Sequence, residues 1–311
     1  MFRILLLLAL APLVAPLFVA PLFVATFVSY NPLSRRAAAA SLLSPAAASL
    51  LLPSAASAQP PAPSSPLRAR LRARLLADPS ELLLQPATLR EPDLFFPPSF
   101  AGAWAVTSTL AAVSAPCGVP LFGGNATYER AREELGNPAK SALRYRTRFL
   151  RVSDERCVPD REFNLKSIAE ASMGAVAVMD LVSSPNRVSA SLLPKGAGGQ
   201  TFNVEILMTG REQEAAGGEL LTMELGRNIV SSSGSGGRIS LKEIETLTSF
   251  EVLEGGDRIR SKQRTMTYLV PAQEPGSVEF RMWRATRGRP VDVRDYDVSY
   301  VRVPKAPIAE S

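Results

Sequence analysis

The sequence predicts a mainly β protein: an antiparallel up-and-down barrel of about eight to ten strands with one short helical insert. Three observations carry this expectation. From Phe100 onward apolar residues recur with period two, the spacing of strands buried on one face. Turns such as "LEGGDR" separate these runs, and Gly255 and Gly256 accept the positive φ angles that tight turns demand. Only one helical pattern intervenes, whereas a parallel α/β sheet needs repeated crossover helices.

Taken in order, "FAGAWAVTSTL" opens the domain, with Trp104, Val106 and Leu110 expected inward. In "LRYRTRFLRV", Leu143, Tyr145, Thr147 and Phe149 share one face and Arg144, Arg146 and Arg148 the other. "NLKSIAEASMG" is the helical insert, capped by Asn164 and ended by Gly174. "TFNVEILMT" alternates Phe202, Val204, Ile206 and Met208 against polar neighbours, and "ELLTMELGRNIV" sets Leu221, Met223, Leu225 and Ile229 on its apolar face. The last strand, "VRDYDVSYVRV", turns Tyr296, Val298 and Tyr300 one way and Asp295, Asp297 and Ser299 the other. Further strands are expected near 186–193, 239–253, 257–270 and 277–284. Glycine two residues before tryptophan at the head of such a series suggests a calycin or lipocalin-like barrel spanning 99–304, with 305–311 as a tail.

The chain before residue 99 has a different character. No Asp or Glu precedes Asp78. Residues 1–29 read as a secretory signal: one early arginine, a long uncharged apolar run interrupted by Pro12, Pro16 and Pro21, then "VAT" before Phe27. Residues 30–58 read as a short plastid spacer and a twin-arginine signal. Arg35 and Arg36 precede a second apolar stretch, and Ala56-Ser57-Ala58 provides the cleavage site. Two signals in series imply two membranes crossed in order, an arrangement similar to the leaders of thylakoid-lumen proteins in algae with secondary plastids. A single retained membrane anchor is the competing reading. Residues 59–98 read as a linker in which "PLRARLRARLLADPSELLL", with Arg68, Arg70, Arg72 and Arg74 at every second position, offers one basic helix, expected as a solvated arm in preference to a lipid-touching one.

Composition excludes several activities. The chain has no histidine, which removes His-dependent triads, His-ligated zinc and histidine-held haem. Two cysteines cannot alone build a thiolate metal site, and "SSSGSGGR" lacks the lysine of a phosphate-binding loop. Without residues 1–58 and their three arginines, 32 basic residues face 29 acids, a net +3 that makes no nucleic-acid footprint. The sequence thus predicts no enzyme, no cofactor and no nucleic-acid partner. Cys117 and Cys157 form a disulfide or remain two free thiols; both readings stay open. Glu243 and Glu245 share a strand face, expected to be solvated.

The ordered motifs "FPPSFAGAWAVTSTL", "RYRTRF" followed by "PDREFN", "SPNRV", "TGREQE", "EIETLTSFEVL", "TYLVP" and "GRPVDVRDYDVSYVR" run from Phe96 to about Val303. Together they resemble a domain of unknown function, family 6816, found in cyanobacteria and plastids. The resemblance implies a plastid or thylakoid address and transfers no catalytic residues. Gly226 and Arg227 stand where the family often has a glutamine pair, and the cysteines are not a family feature, so a disulfide would be specific to this lineage.

Two functions follow as expectations. One is a barrel that binds a small apolar ligand, a lipid or pigment, in an interior pocket of roughly 300–1,000 Å³. Its candidate ligand residues are Trp104, Arg161, Asn164, Asn186, Arg187 and Arg211; Trp104 could equally close the barrel floor by packing, and Arg161, Asn164, Asn186 and Arg211 could equally fix loops. The other is an assembly or interaction factor that meets the thylakoid membrane surface or a photosynthetic complex. Whether the inward side chains fill the barrel separates the two.

Overall fold

A computed structural model describes residues 65–304 except 87, 90, 136, 138, 140, 141, 196–199, 217, 234–238, 254 and 272–275. Both signal segments and the tail after residue 304 lie outside the described residues. Ten antiparallel strands form one curled sheet, a half-barrel. They are β1 (Gly102–Ser114), β2 (Leu143–Arg151), β3 (Cys157–Pro159), β4 (Val176–Ser184), β5 (Arg187–Pro194), β6 (Phe202–Ala216), β7 (Glu219–Ser232), β8 (Ile239–Val252), β9 (Arg258–Leu269) and β10 (Asp292–Arg302). Their order is β3-β2-β1-β10-β9-β8-β7-β6-β5-β4, so β4 to β10 form a meander and β1 joins its far side.

The ladder ends at β3 and β4. Chain continuity would close it, but the helix between them, Arg161–Met173, packs on both β2 and β4 and occupies that side of the interior. This is the expected helical insert with a different cap. Asp160 accepts from Phe163 N at 3.1 Å, while Asn164 lies one turn inside and binds the β2 backbone. An aspartate at the N-cap satisfies an orphan helix N–H directly, which frees Asn164 for tertiary contact.

The basic segment of the linker is helical, as its sequence allows, while three further helices within the barrel domain correct the expectation of a single insert there. In chain order the helices are α1 (Pro66–Leu76), α2 (Val119–Phe122), α3 (Asn125–Leu135), the insert α4, and α5 (Val278–Thr286). The segment 277–284, expected as a strand, forms α5. Ser277 caps it, Glu279 lies in its first turn, and Arg287 ends it in the left-handed region at φ 52°. These local end signals outweigh the period-two pattern of a short run. β4 was absent from the expected strands because its alternation is masked by a bulge between Met179 and Val182.

β1 begins as its sequence suggests. Gly102 takes φ +110°, Trp104 is fully buried, and Trp104 Nε1 donates to Phe100 O at 2.8 Å. The Arg302 guanidinium lies 4.3 Å from the Trp104 ring centroid. Phe96, Phe100 and Phe149 pack around them with ring centroids 5.0–5.7 Å apart. Trp104, Val106, Leu110, Leu143, Tyr145, Phe149, Phe202, Val204, Ile206 and Tyr296 all join this inner core, with Met208 packed against it.

Leu221 and Met223 do not; they face outward into a second core with Leu71, Leu75, Leu82, Leu247, Met266 and Tyr268. The reason is α1. The basic segment docks on the convex face of β7 and β8 in place of a solvated arm. Arg74 Nε and Nη2 donate to Glu245 Oε1 at 3.0 and 2.8 Å, and Tyr268 Oη donates to Glu245 Oε2 at 3.1 Å. Arg68 and Arg72 both pair with Glu219 at 2.5 Å, and Arg70 pairs with Glu212. Arg264 clamps Asp295 and donates to the C-terminal carbonyls of Arg74 and Ala77 at 3.1 and 2.6 Å. Glu243 and Glu245, expected to be solvated, are consequently buried, Glu243 against Arg227.

Candidate functional site

Register defines the inner wall residue by residue, because directly opposed strand residues face the same side. Tyr296 opposes Leu110 and Gln263, Gln263 opposes Thr248, and Thr248 opposes Thr222. One row away, Arg294 opposes Thr265 and Thr265 opposes Thr246. Nearer the strand ends Asp292 opposes Thr267, and Lys242 opposes Asn228. A belt of hydroxyl, amide and charged side chains therefore crosses the interior between apolar zones.

Much of this belt is unpaired. Ser108 Oγ, Tyr145 Oη, Thr147 Oγ1, Thr248 Oγ1, Ser261 Oγ, Asn228 Nδ2, Gln263 Nε2 and Arg294 Nη2 are buried without a hydrogen-bond partner. All eight belong to inward positions of the ladders, and each such atom costs about 1–3 kcal/mol if nothing fills its demand. On the outer face Arg227 Nε alone has this character among the described residues.

The charged end of the belt is compact. Arg294 Nε donates to Asp292 Oδ1 and Oδ2 at 3.0 and 3.1 Å, and its guanidinium lies 5.2 Å from the Phe122 ring centroid. Burial lowers the Lys242 ammonium to about 8 against the opposing pull of Asp292. Burial likewise raises Asp292, although Arg294 and Lys242 act the other way. Glu134 reaches in from α3, and burial pushes its carboxyl up to about 7 despite Arg294 and Arg130. Two buried cations, a fixed carboxylate and a set of N–H donors make an interior able to hold an acceptor-rich group. No cluster of three metal-ligating side chains occurs among the described residues.

The residues singled out from sequence lie elsewhere. Trp104 is packed in the aromatic floor. Arg161 Nη1 donates to Asp93 Oδ2 at 3.0 Å, and both charges are nearly buried. Asn164 Oδ1 accepts from Arg148 N at 2.7 Å while its Nδ2 donates to Arg148 O at 3.2 Å, riveting α4 to β2. Asn186 and Arg211 do come together. Arg211 Nη1 donates to Asn186 Oδ1 at 3.2 Å and to Pro92 O at 3.0 Å, and its Nε reaches Glu224 at 3.3 Å. A bulge between Met208 and Gly210 brings Arg211 to the inner side. Arg187 pairs with Glu205 at 2.7 Å on the surface. These contacts fix loops and the segment before β1.

The cysteines do not pair. Both are free thiols, and the strand directions place them at opposite ends of the half-barrel, Cys117 just past the end of β1 and Cys157 opposite Arg151 at the end of β2.

Asn228, Lys242, Gln263, Asp292 and Arg294 were missed by sequence reading, although parity points to two of them. Asp292 and Arg294 share the even positions of Tyr296, Val298 and Tyr300, and extending that face two steps back would have placed both inside. Outside the interior, a groove of about 830 Å³ lies between the end of α4 and the paired ends of β4 and β5, lined by Val176, Ala177, Leu193, Pro194, Glu170 and Lys195.

No curated protein and no solved structure matches this chain. Residues 89–303, covering every strand and the whole inner wall, match a family described as a domain of unknown function, and the chain thus belongs to the DUF6816 family.

Proposed function

We propose that the protein is a non-enzymatic carrier or sensor that holds a small molecule against the inner wall of its half-barrel, in the thylakoid lumen of a plastid. The carrying observation is the unpaired polar belt: eight buried inward-facing atoms have hydrogen-bonding capacity that the fold leaves unused. A wall selected for stability alone would be apolar or fully paired. The Trp104 zone is filled by its own aromatic side chains, so an apolar chamber there is not where a ligand would lie. The reading moves to the polar end, and a wholly apolar guest gives way to one with a polar head.

A second reading, an assembly factor for a photosynthetic membrane complex, draws on the β4 edge. Among the described residues β4 has no strand partner on its outer side, and its Met179 and Val182 are exposed. An open edge can add a strand from a partner.

Purification from thylakoids followed by mass spectrometry of co-eluting molecules tests both. A stoichiometric small molecule supports the carrier, a stoichiometric protein supports the assembly factor, and an empty monomer counts against both. For the address, a fluorescent fusion carrying Arg35→Lys and Arg36→Lys is expected to lose lumenal delivery; unchanged delivery rejects the twin-arginine route.

A further inference from the structure

The helices differ in what claims their apolar side chains. α1 sets Leu71 and Leu75 into the outer core, and α4 sets Leu165, Ile168 and Met173 into the inner one. α5 does neither: among the described residues, Val278, Phe280, Met282 and Trp283 belong to no core and pack against none. Of its nine residues only Thr286 is buried, and Val278 is 55% exposed. Phe280 and Trp283, both partly exposed, lie against each other with ring centroids 5.7 Å apart.

Charge follows the same division. Every arginine of α1 has a carboxylate: Arg68 and Arg72 meet Glu219, Arg70 meets Glu212 and Arg74 meets Glu245. Arg281 and Arg284 on α5 and Arg287 at its end are exposed, and among the described residues none of them meets a carboxylate. The Arg284 guanidinium lies 5.9 Å from the Phe280 ring centroid. From Val278 to Arg289 the chain has four arginines and one acid, Glu279. The helix that reads as basic in the sequence, α1, is thus neutralised by its own sheet, and α5 is not.

The neighbouring chain extends this patch. β8 begins with Ile239, 73% exposed, and the exposed Leu241; Lys242 beside them opposes Leu269, from which the chain leaves β9 toward α5. After α5, Leu84 N donates to Gly288 O at 2.7 Å, which brings the exposed Leu83 to the same turn. One end of the half-barrel therefore carries apolar and aromatic side chains beside cations that no carboxylate answers. Water solvates the arginines and leaves the apolar groups exposed. An anionic bilayer answers both, because its phosphates face the guanidinium groups while the headgroup boundary accepts tryptophan, phenylalanine and aliphatic side chains. Arginine suits that boundary, since its stem lies along apolar surface and its head stays among the headgroups.

We propose that α5 and the turn after it dock this end of the half-barrel on an anionic lipid surface, through Arg281, Arg284 and Arg287 together with Phe280 and Trp283. The inner wall takes no part, so the inference stands or falls independently of the carrier reading.

Tryptophan fluorescence of the full chain on vesicles tests it. The protein has two tryptophans and Trp104 is fully buried, so a change in emission on adding vesicles reports Trp283 and α5 directly. Vesicles of phosphatidylglycerol and phosphatidylcholine in equal parts should shift the emission to the blue, and brominated acyl chains should quench it. Partitioning to phosphatidylcholine alone should be at least about tenfold weaker. Arg281→Gln and Arg284→Gln should each weaken partitioning to the anionic vesicles about fivefold, the effect of one basic residue at such a surface. Both side chains are exposed, so these variants should melt with the parent, and any contribution of the apolar residues 1–29 is the same in all of them. Trp283→Phe should abolish the shift. Removing the same charge at Arg144 and Arg146, exposed on β2, should leave partitioning unchanged. An equal shift on both kinds of vesicle, or α5 variants that partition like the parent, overturns the docking. Equal losses from the β2 and α5 substitutions overturn the assignment to α5, since net charge then suffices. No shift on either vesicle overturns the lipid surface and leaves an acidic protein as the occupant those arginines would suit.

Discussion

The two faces of the same sheet treat polar groups in opposite ways. On the outer face under α1, arginines from the helix and carboxylates from β6, β7 and β8 pair nearly one for one, and Tyr268 adds its hydroxyl to Glu245. On the inner face, hydroxyls, amides and one guanidinium nitrogen are equally buried and have no partner. The strands, their twist and their burial are common to both faces. What differs is that the outer face is completed by the chain itself, while the inner face retains unmet hydrogen-bonding demand. Structure explains the first; the second is the signature expected where something outside the chain completes the site.

The largest expected effect breaks the outer face. Arg74→Met leaves Glu245 buried without its cation and should cost about 3–5 kcal/mol by chemical denaturation. Adding Glu245→Met should recover most of that loss, because the pair then goes as a unit. If the single substitution costs less than about 1 kcal/mol, α1 is not held as described and the contrast between the faces weakens.

The charged end of the inner wall should reveal itself through pH. Glu134 is raised to about 7 from 4.5, so the folded state binds its proton more strongly and stability falls as pH rises between those values. Lys242 is lowered to about 8 from 10.5, so the unfolded state holds the extra proton and stability climbs between pH 8 and 10.5. The melting temperature of the empty protein should therefore pass through a minimum between pH 7 and 8. Glu134→Gln should flatten the acid limb and Lys242→Met the alkaline one, each limb amounting to several degrees. A profile unchanged by both substitutions would refute a buried charged cluster.

Adjacent residues of β8 sharpen the comparison further. Ser249 on the outer side donates to Glu219 Oε1 at 2.7 Å, and Ser249→Ala should cost about 1 kcal/mol. Thr248, its inward neighbour, has an unpartnered hydroxyl, and Thr248→Val should be neutral or stabilising by up to about 1 kcal/mol in the empty protein. Opposite signs at neighbouring positions would separate structural from reserved polarity in one experiment. The smallest effect is expected at Gly226. An added Cβ meets the Met208 Cε at 3.2 Å and the Ile206 Cγ2 at 3.3 Å, and the flexible methionine can yield, so Gly226→Ala should cost less than about 1 kcal/mol.

Strands with strict alternation were legible from sequence because one face meets a core and the other does not; β2, with Leu143, Tyr145 and Thr147 buried between exposed arginines, is the clearest case. β7 was legible as a strand and misread as to face, since Leu220 to Gly226 are all buried and alternation disappears when both sides are covered. The interior site was half legible through the parity of Asp292 and Arg294. Lys242 and Asn228 gave no such signal, because a lysine and an asparagine near strand ends look like surface residues until their ladder partners are known.

What the sequence by itself determined is the antiparallel architecture, the opening of β1 at Gly102 and Trp104, the turn at Gly255 and Gly256, and family membership through the order of its motifs. These depend on local stereochemistry and on a period of two, which neighbouring residues suffice to express. The tertiary structure alone decided that α1 clasps the sheet and that a charged, donor-rich set faces the interior. Arg74 and Glu245 are separated by 171 residues, and Asn228, Lys242, Gln263 and Arg294 come from four different strands. Which distant residues meet depends on strand order and register, and those are set by the packing of the whole sheet.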